Sequence, residues 1–121
     1  MGTMQNTNNK YRDLEERTYR FAERCREFVK KISRTIHNIE YGKQLIRSSG
    51  SQAANYIEAN EALSRKDFVH RVRICRKEAK ESGLWLRLVE VSTNEERDLL
   101  IQEAIELRKI FNAIIEKSTV R

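Results

Sequence analysis

No proline occurs in this chain of 121 residues, where average usage would supply about six. Proline is the residue that most sharply ends or kinks a helix, because it lacks the amide donor and its ring collides with the preceding turn. Only 4 glycines add to the supply of breakers, and 35% of the residues are charged. A chain so poor in breakers is expected to run in long amphipathic helices. Collagen, a disulfide scaffold and a Pro/Gly-rich disordered chain are excluded, and the length fits one domain around one core.

The apolar residues carry the helical period. Tyr11, Leu14, Thr18, Phe21, Cys25, Phe28 and Ile32 follow alternating steps of three and four, the pattern of a helix packed nearly parallel to its neighbours. Residues 1–9 are polar and aperiodic and read as a flexible tail. Helices are expected at about 10–34, 38–60, 65–91 and 94–117, with a short tail at 118–121. Ser64 followed by Asp67 resembles a capping box; Ser92, Thr93 and Asn94 offer the next cap, ahead of Glu95 and Glu96. Phe68, Val72, Cys75, Ala79, Leu86 and Val89 line the third helix. Four such helices on short connections make an all-α, up-down-up-down four-helix bundle at residues 10–117.

The fourth helix is richer in apolar residues than a core stripe requires. From Leu99 to Ile115 they cover an arc of about 240° at about 100° per residue, where a core-facing stripe needs little more than 100°. The surplus is expected to meet another copy of the chain, with Leu99, Ile101, Ile105, Ile110 and Ile115 at the interface. The alternative is a helix buried deep in its own bundle.

The 24 Lys and Arg outnumber the 18 Asp and Glu, for a net charge of +6, an excess that favours polyanions. It is concentrated: between residues 62 and 80 seven bases face only Asp67 and Glu78, a local balance of +5. Lys66, Arg73, Lys77 and Lys80 share one side of the third helix, and Arg17, Arg20, Arg24 and Lys31 share one side of the first. Such stripes can hold phosphates by counterion release, without reading sequence, or can be ordinary solvated faces. No apolar run approaches the roughly 18 residues of a membrane span. With only 2 Cys and no charged-then-apolar opening, the expected compartment is the reducing cytoplasm.

Gln44, Arg47, Ser51, Asn55 and Glu58 are spaced three, four, four and three along the second helix, and Glu78, Glu81 and Trp85 three and four along the third. In antiparallel helices turning near residue 62, Arg47 meets Glu78, Gln44 meets Glu81 and Asn55 comes near His70. Two readings stand side by side: a polar network that fixes helix register, and a ligand site. Asp67-x-x-His70 is a lone half of the paired acid-x-x-His motifs that build di-metal carboxylate centres in bundles. Cys25 and Cys75 occupy apolar positions, where reduced thiols act as small hydrophobes. No residue pattern calls for a cofactor, metal or nucleophilic reaction.

The segments QLIRSSGSQAANYIEANEALSRKDF and KEAKESGLWLRL resemble the small four-helix-bundle family named for intervening sequences in 23S rRNA genes. Gln44, Arg47, Ser48, Ser51, Asn55, Glu58, Ala59, Ser64, Phe68, Lys77, Glu78, Glu81, Trp85 and Leu86 carry the resemblance, over roughly residues 12–115. Ser33, Gln52-Ala53 and Gly83 depart from the family pattern. The resemblance implies a left-handed four-helix bundle assembling as a homopentameric ring. It also implies a fold similar to the accessory protein of diversity-generating retroelements, a basic pentamer that binds nucleic acid and a reverse transcriptase. The expected role is non-enzymatic: a cytoplasmic homo-oligomer whose partners are its own copies and RNA or DNA. The alternative is a protein-interaction scaffold with no nucleic-acid role.

Overall fold

A computed structural model describes the backbone of residues 2–119 and the side chains of residues 13–119; Met1, Val120 and Arg121 lie outside the described residues. Four helices follow in order: α1 (Gly2–Lys31), α2 (Ile36–Asn60), α3 (Arg65–Leu88) and α4 (Glu95–Thr119). Among the described residues there is no strand. α1 packs on α2 and α4, and α3 packs on α2 and α4, so consecutive helices are neighbours and the fourth closes on the first. This is the up-down-up-down arrangement that short connections dictate.

One core runs through the four helices. Phe21, Cys25 and Phe28 of α1, Leu45 and Tyr56 of α2, Val72, Cys75, Ala79 and Leu86 of α3, and Leu100, Ala104, Leu107 and Phe111 of α4 are all buried. Their sequence spacing keeps each set on one stripe. Ile115 belongs here too, at 5% exposure. Its expected place in an interface between copies is therefore corrected: it sits on the α4 stripe of Ala104 and Phe111, which faces the chain's own core.

The helix ends differ from the expected bounds for identifiable reasons. α1 begins at Gly2 rather than near residue 10, because nothing in the polar opening breaks a helix. It ends at Lys31 rather than 34, and α2 starts at Ile36, because Thr35 caps it: the Thr35 hydroxyl accepts from the Asn38 amide at 3.2 Å. α3 starts at Arg65 under the Ser64 cap, whose hydroxyl accepts from the Asp67 amide at 3.1 Å. It stops at Leu88 rather than 91. Asn38, 2% exposed, takes over the backbone there: its Nδ2 donates to the carbonyls of Ser33 and Glu90, and its Oδ1 accepts from the Glu90 amide at 2.8 Å. One side chain thus ties the α1–α2 turn to the end of α3.

The expected Ser92–Asn94 cap also differs, since the Asn94 side chain accepts from the Arg97 guanidinium instead of a backbone amide. Glu95, Glu96 and Asp98 still place negative charge in the first turn of α4, where the helix dipole favours it. α4 continues to Thr119, with the Ser118 and Thr119 hydroxyls folded back onto the carbonyls of Ile114 and Ile115. The last two residues of the expected 118–121 tail, and Met1 of the expected 1–9 tail, lie outside the described residues.

Candidate nucleic-acid interface

The two basic stripes have different surroundings. On α1, Arg17 makes a two-point bond to Glu103 of α4, Nε to Oε2 at 2.7 Å and Nη2 to Oε1 at 2.9 Å. That bond holds the Arg17 guanidinium above its ordinary pKa, against the opposing effect of partial burial. Arg20 pairs with Glu16 at 3.2 Å and Lys31 with Glu96 at 3.1 Å. Among the described residues only Arg24 of this stripe lacks an ion pair. Glu103 and Glu96 of the adjoining α4 thus pair with two of the four cations of this stripe, Arg17 and Lys31.

α3 is the opposite case. Lys66, Arg73, Lys77 and Lys80 are exposed and, among the described residues, none of them forms an ion pair. Arg65 and Arg87 extend the same helix and are also exposed without an acidic partner. Across from Lys77, Lys80 and Arg87 the α4 residues lining the groove are Ile101, Ala104, Ile105 and Arg108, which bring no carboxylate. Lys77, Lys80, Leu84, Arg87, Ile101, Ile105 and Arg108 line one open depression whose floor is aliphatic and whose walls are basic. Glu81, at the edge of this depression, is turned to Arg47 of α2. From Lys66 to Arg87 the cations extend over about 30 Å of helix, at about 1.5 Å per residue.

Beside this face, on the α2 side of α3, lies the polar network. Arg47 donates through Nη1 and Nη2 to the two oxygens of Glu78 at 3.4 and 3.3 Å, and through Nη2 to Glu81 at 3.2 Å. Ser51 donates to Glu78 at 3.2 Å. Asn55 donates to the Ser51 hydroxyl and carbonyl, and Arg71 donates to Asn55 Oδ1 at 3.0 Å. The Glu78 carboxylate is nearly buried, whereas Arg47 is half exposed. The bonds to Glu78 hold the Arg47 guanidinium above its ordinary pKa.

Several expected pairings are corrected by this geometry. Gln44 does not reach Glu81; its Oε1 accepts from Arg47 Nε at 3.4 Å, and Arg47 makes the link. The α3 side chain that bonds Asn55 is Arg71, the neighbour of the exposed His70. Glu58 points to solvent, outside the chain of bonds. Trp85 does not join the hydrogen bonds either: its ring stacks on Tyr41 at 5.9 Å and its buried Nε1 has, among the described residues, no partner. Ser48, from the same motif, bonds Ser82 at 2.7 Å in the buried seam between α2 and α3.

The interface residues proposed on α4 also separate. Leu99 is 60% exposed. Ile101, Ile105 and Ile110 are half-buried, and Ile101 and Ile110 pack against the core. Exposed aliphatics lie elsewhere as well: Ile46 and Ile57 on α2 and Leu84 and Leu88 on α3. The α2 pair escaped sequence reasoning although its spacing of eleven residues, three full turns, was available as a signal. The Asn38 bridge had no signal, because it joins residues 52 apart.

The thiols of Cys25 and Cys75 are buried, and loss of solvation pushes each up to about 12. Asp67 and His70 are both exposed. Among the described residues no group of three His, Cys, Asp or Glu is placed to hold a metal, and no helix is long and apolar enough to cross a membrane.

A family model described as 23S rRNA-intervening sequence protein matches residues 12–113. Among solved structures, the chain is similar to a Bacteroides thetaiotaomicron protein of unknown function from the S23 ribosomal protein family. That likeness has a TM-score of 0.75 at 30% identity, covering 84% of this chain and 97% of the other. No curated protein matches the chain.

Proposed function

The chain belongs to the 23S rRNA-intervening sequence protein family, and on that footing we propose a non-enzymatic, homo-oligomeric bundle that binds RNA or DNA phosphates through the outward face of α3. The observation that carries this reading is the contrast between the two stripes. Arg20, Arg17 and Lys31 of α1 are paired with Glu16, Glu103 and Glu96. Lys66, Arg73, Lys77 and Lys80 are exposed on one side of one helix and, among the described residues, form no ion pair. Cations already paired gain little from a phosphate, whereas free ones release its counterions. No aromatic ring sits among them, so bases have no stacking platform and recognition is of the backbone, without sequence preference.

The ring of five copies and the left-handed twist are carried over from the family resemblance. Self-association is supported by exposed Leu99 and half-buried Ile101, Ile105 and Ile110, and repetition of the α3 face around an assembly would multiply its phosphate contacts. The cytoplasm is the proposed compartment, since free thiols persist there.

A second reading is a scaffold that docks an acidic protein, favoured by the aliphatic floor of Leu84, Ile101 and Ile105 between the basic walls. Titrating salt against binding to unrelated RNA and DNA duplexes separates the two. Affinity that falls steeply and equally for all sequences supports phosphate contact; no binding to either nucleic acid at low salt leaves the scaffold.

A further inference from the structure

The cationic line of α3 changes character along its length. From Lys77 to Arg87 it borders the depression between α3 and α4, which holds about 530 Å³ and has Leu84, Ile101 and Ile105 in its floor. Gly83 and Ala104 add almost no side-chain height there. Leu84 is 44% exposed. Lys77, Lys80, Arg87 and Arg108 stand around this floor, and among the described residues none of the four forms an ion pair. The carboxylate at the rim, Glu81, is held by Arg47 at 3.2 Å. The apolar flank that α4 turns to the depression is separate from the one carrying Leu99 and Ile110. At about 100° per residue, Ile101 and Ile105 lie at least about 120° round the helix from those two. Filling the depression therefore leaves Leu99 and Ile110 available for contacts between copies.

A duplex has no use for such a floor. Its base faces are covered by their neighbours, so its outer surface offers phosphates, sugars and polar groove edges. Pressed on Leu84, Ile101 and Ile105, those groups would lose water without gaining partners. An unpaired nucleotide is different, because it presents an apolar base face together with a phosphate. The base face then leaves water against the aliphatic floor while the phosphate meets the basic wall. An acidic amphipathic helix fits less well, since its apolar anchors recur along its whole length. Here the depression stops at Lys77, and the cationic line runs on for about 16 Å to Lys66 without an apolar floor.

We propose that the depression receives unpaired nucleotides, so that the α3 face binds a junction between duplex and single strand. Lys66 and Arg73 hold phosphates of the duplex. The unpaired strand runs on between Lys77, Lys80, Arg87 and Arg108, with its bases on Leu84, Ile101 and Ile105. An aliphatic floor covers any base without ring stacking and without reading its identity, in keeping with binding that has no sequence preference. The inference rests on the phosphate-binding reading above and adds the form of nucleic acid that this face selects.

The test titrates the full chain at low salt with three DNA probes that share one duplex. The first is blunt, the second carries an unpaired run of thymidines at each end, and the third an abasic run of the same length. The thymidine probe is expected to bind about fivefold more tightly than the abasic one, the equivalent of about 40 Å² of apolar base surface covered. The abasic probe should exceed the blunt one only through its added phosphates, an advantage that salt removes. Gly83→Leu fills the depression, since a Cβ there meets Ala104 at an ordinary 3.9 Å. It is expected to bring the thymidine probe down to the abasic one, with blunt-duplex affinity and helical circular dichroism unchanged. Ile105→Gln, which keeps the depression open but makes its floor polar, should do the same. No binding of any probe would overturn the phosphate-binding reading and this inference together. Equal affinity for the thymidine and abasic probes, or a difference that survives both substitutions, would overturn this inference alone.

Discussion

Glu78 is 6% exposed, and its carboxylate is met by a guanidinium that stands half in water and by the Ser51 hydroxyl. What remains around it decides the effect of each substitution. A fully buried pair broken on one side costs about 3–5 kcal/mol. Here water reaches the space Arg47 would vacate and Ser51 still donates, so Arg47→Ala is expected to cost about 1–3 kcal/mol, read by urea denaturation. The pairing of Arg47 with Glu78 was legible in the sequence, because antiparallel helices about a known turn fix which levels meet. The direction of Glu58 and the Gln44–Arg47–Glu81 relay were not, because they depend on helix rotation by a few tens of degrees. The thiols give a pH prediction. Each shifts from an ordinary 9.0 to about 12 when folded, so the unfolded chain loses these protons first. Their contribution is complete below about pH 9 and is lost as pH rises towards about 12, by up to about 1.4 kcal/mol per pH unit for each thiol. Urea midpoints at pH 8 and pH 10 should show this decline, and Cys75→Ala should make it shallower.

The helices end where side chains capture the backbone, and these contacts set the predictions at the scale of the element. Ser64→Ala removes the cap of α3 and is expected to cost about 0.5–2 kcal/mol. Asn38→Asp is expected to cost more, because a carboxylate would face the carbonyls of Ser33 and Glu90, which now receive donors. Each buried acceptor left unpaired costs about 1–3 kcal/mol. The glycines divide in the same way. A Cβ on Gly42 would lie 2.9 Å from the stiff Val29 side chain, whereas one on Gly83 meets Ala104 at an ordinary 3.9 Å. Gly42→Ala should destabilise by about 1–3 kcal/mol through overpacking, and Gly83→Ala should stabilise by about 0.5–1 kcal/mol through helix propensity. Thermal melts of the two variants should move in opposite directions. The existence and order of the four helices were readable from period and breakers. Their ends were less so: Ser64 announced itself by its spacing to Asp67, but Asn38 stops α3 from another part of the chain.

Across the whole molecule the acidic and basic helices are not scattered at random around the bundle. Glu96 and Glu103 of α4 lie on the side that meets α1, where they pair with Lys31 and Arg17, and the same helix turns Ile101, Ile105 and Arg108 towards α3. The sequence located both basic stripes but could not rank them, since pairing is a property of which helices adjoin. The apolar run of α4 was likewise readable, while its division into a core residue, Ile115, half-buried isoleucines and an exposed Leu99 followed only from the packing. The most direct measurement is the salt dependence of duplex binding for two matched variants. In one, Lys66, Arg73, Lys77 and Lys80 are changed to Gln; in the other, Arg17, Arg20, Arg24 and Lys31. Each phosphate contact contributes about 0.9 to the slope of log affinity against log salt for duplex DNA. The α3 variant should lose most of the slope and the α1 variant little of it. Equal losses in the two, or a larger loss from α1, would contradict phosphate binding by the α3 face.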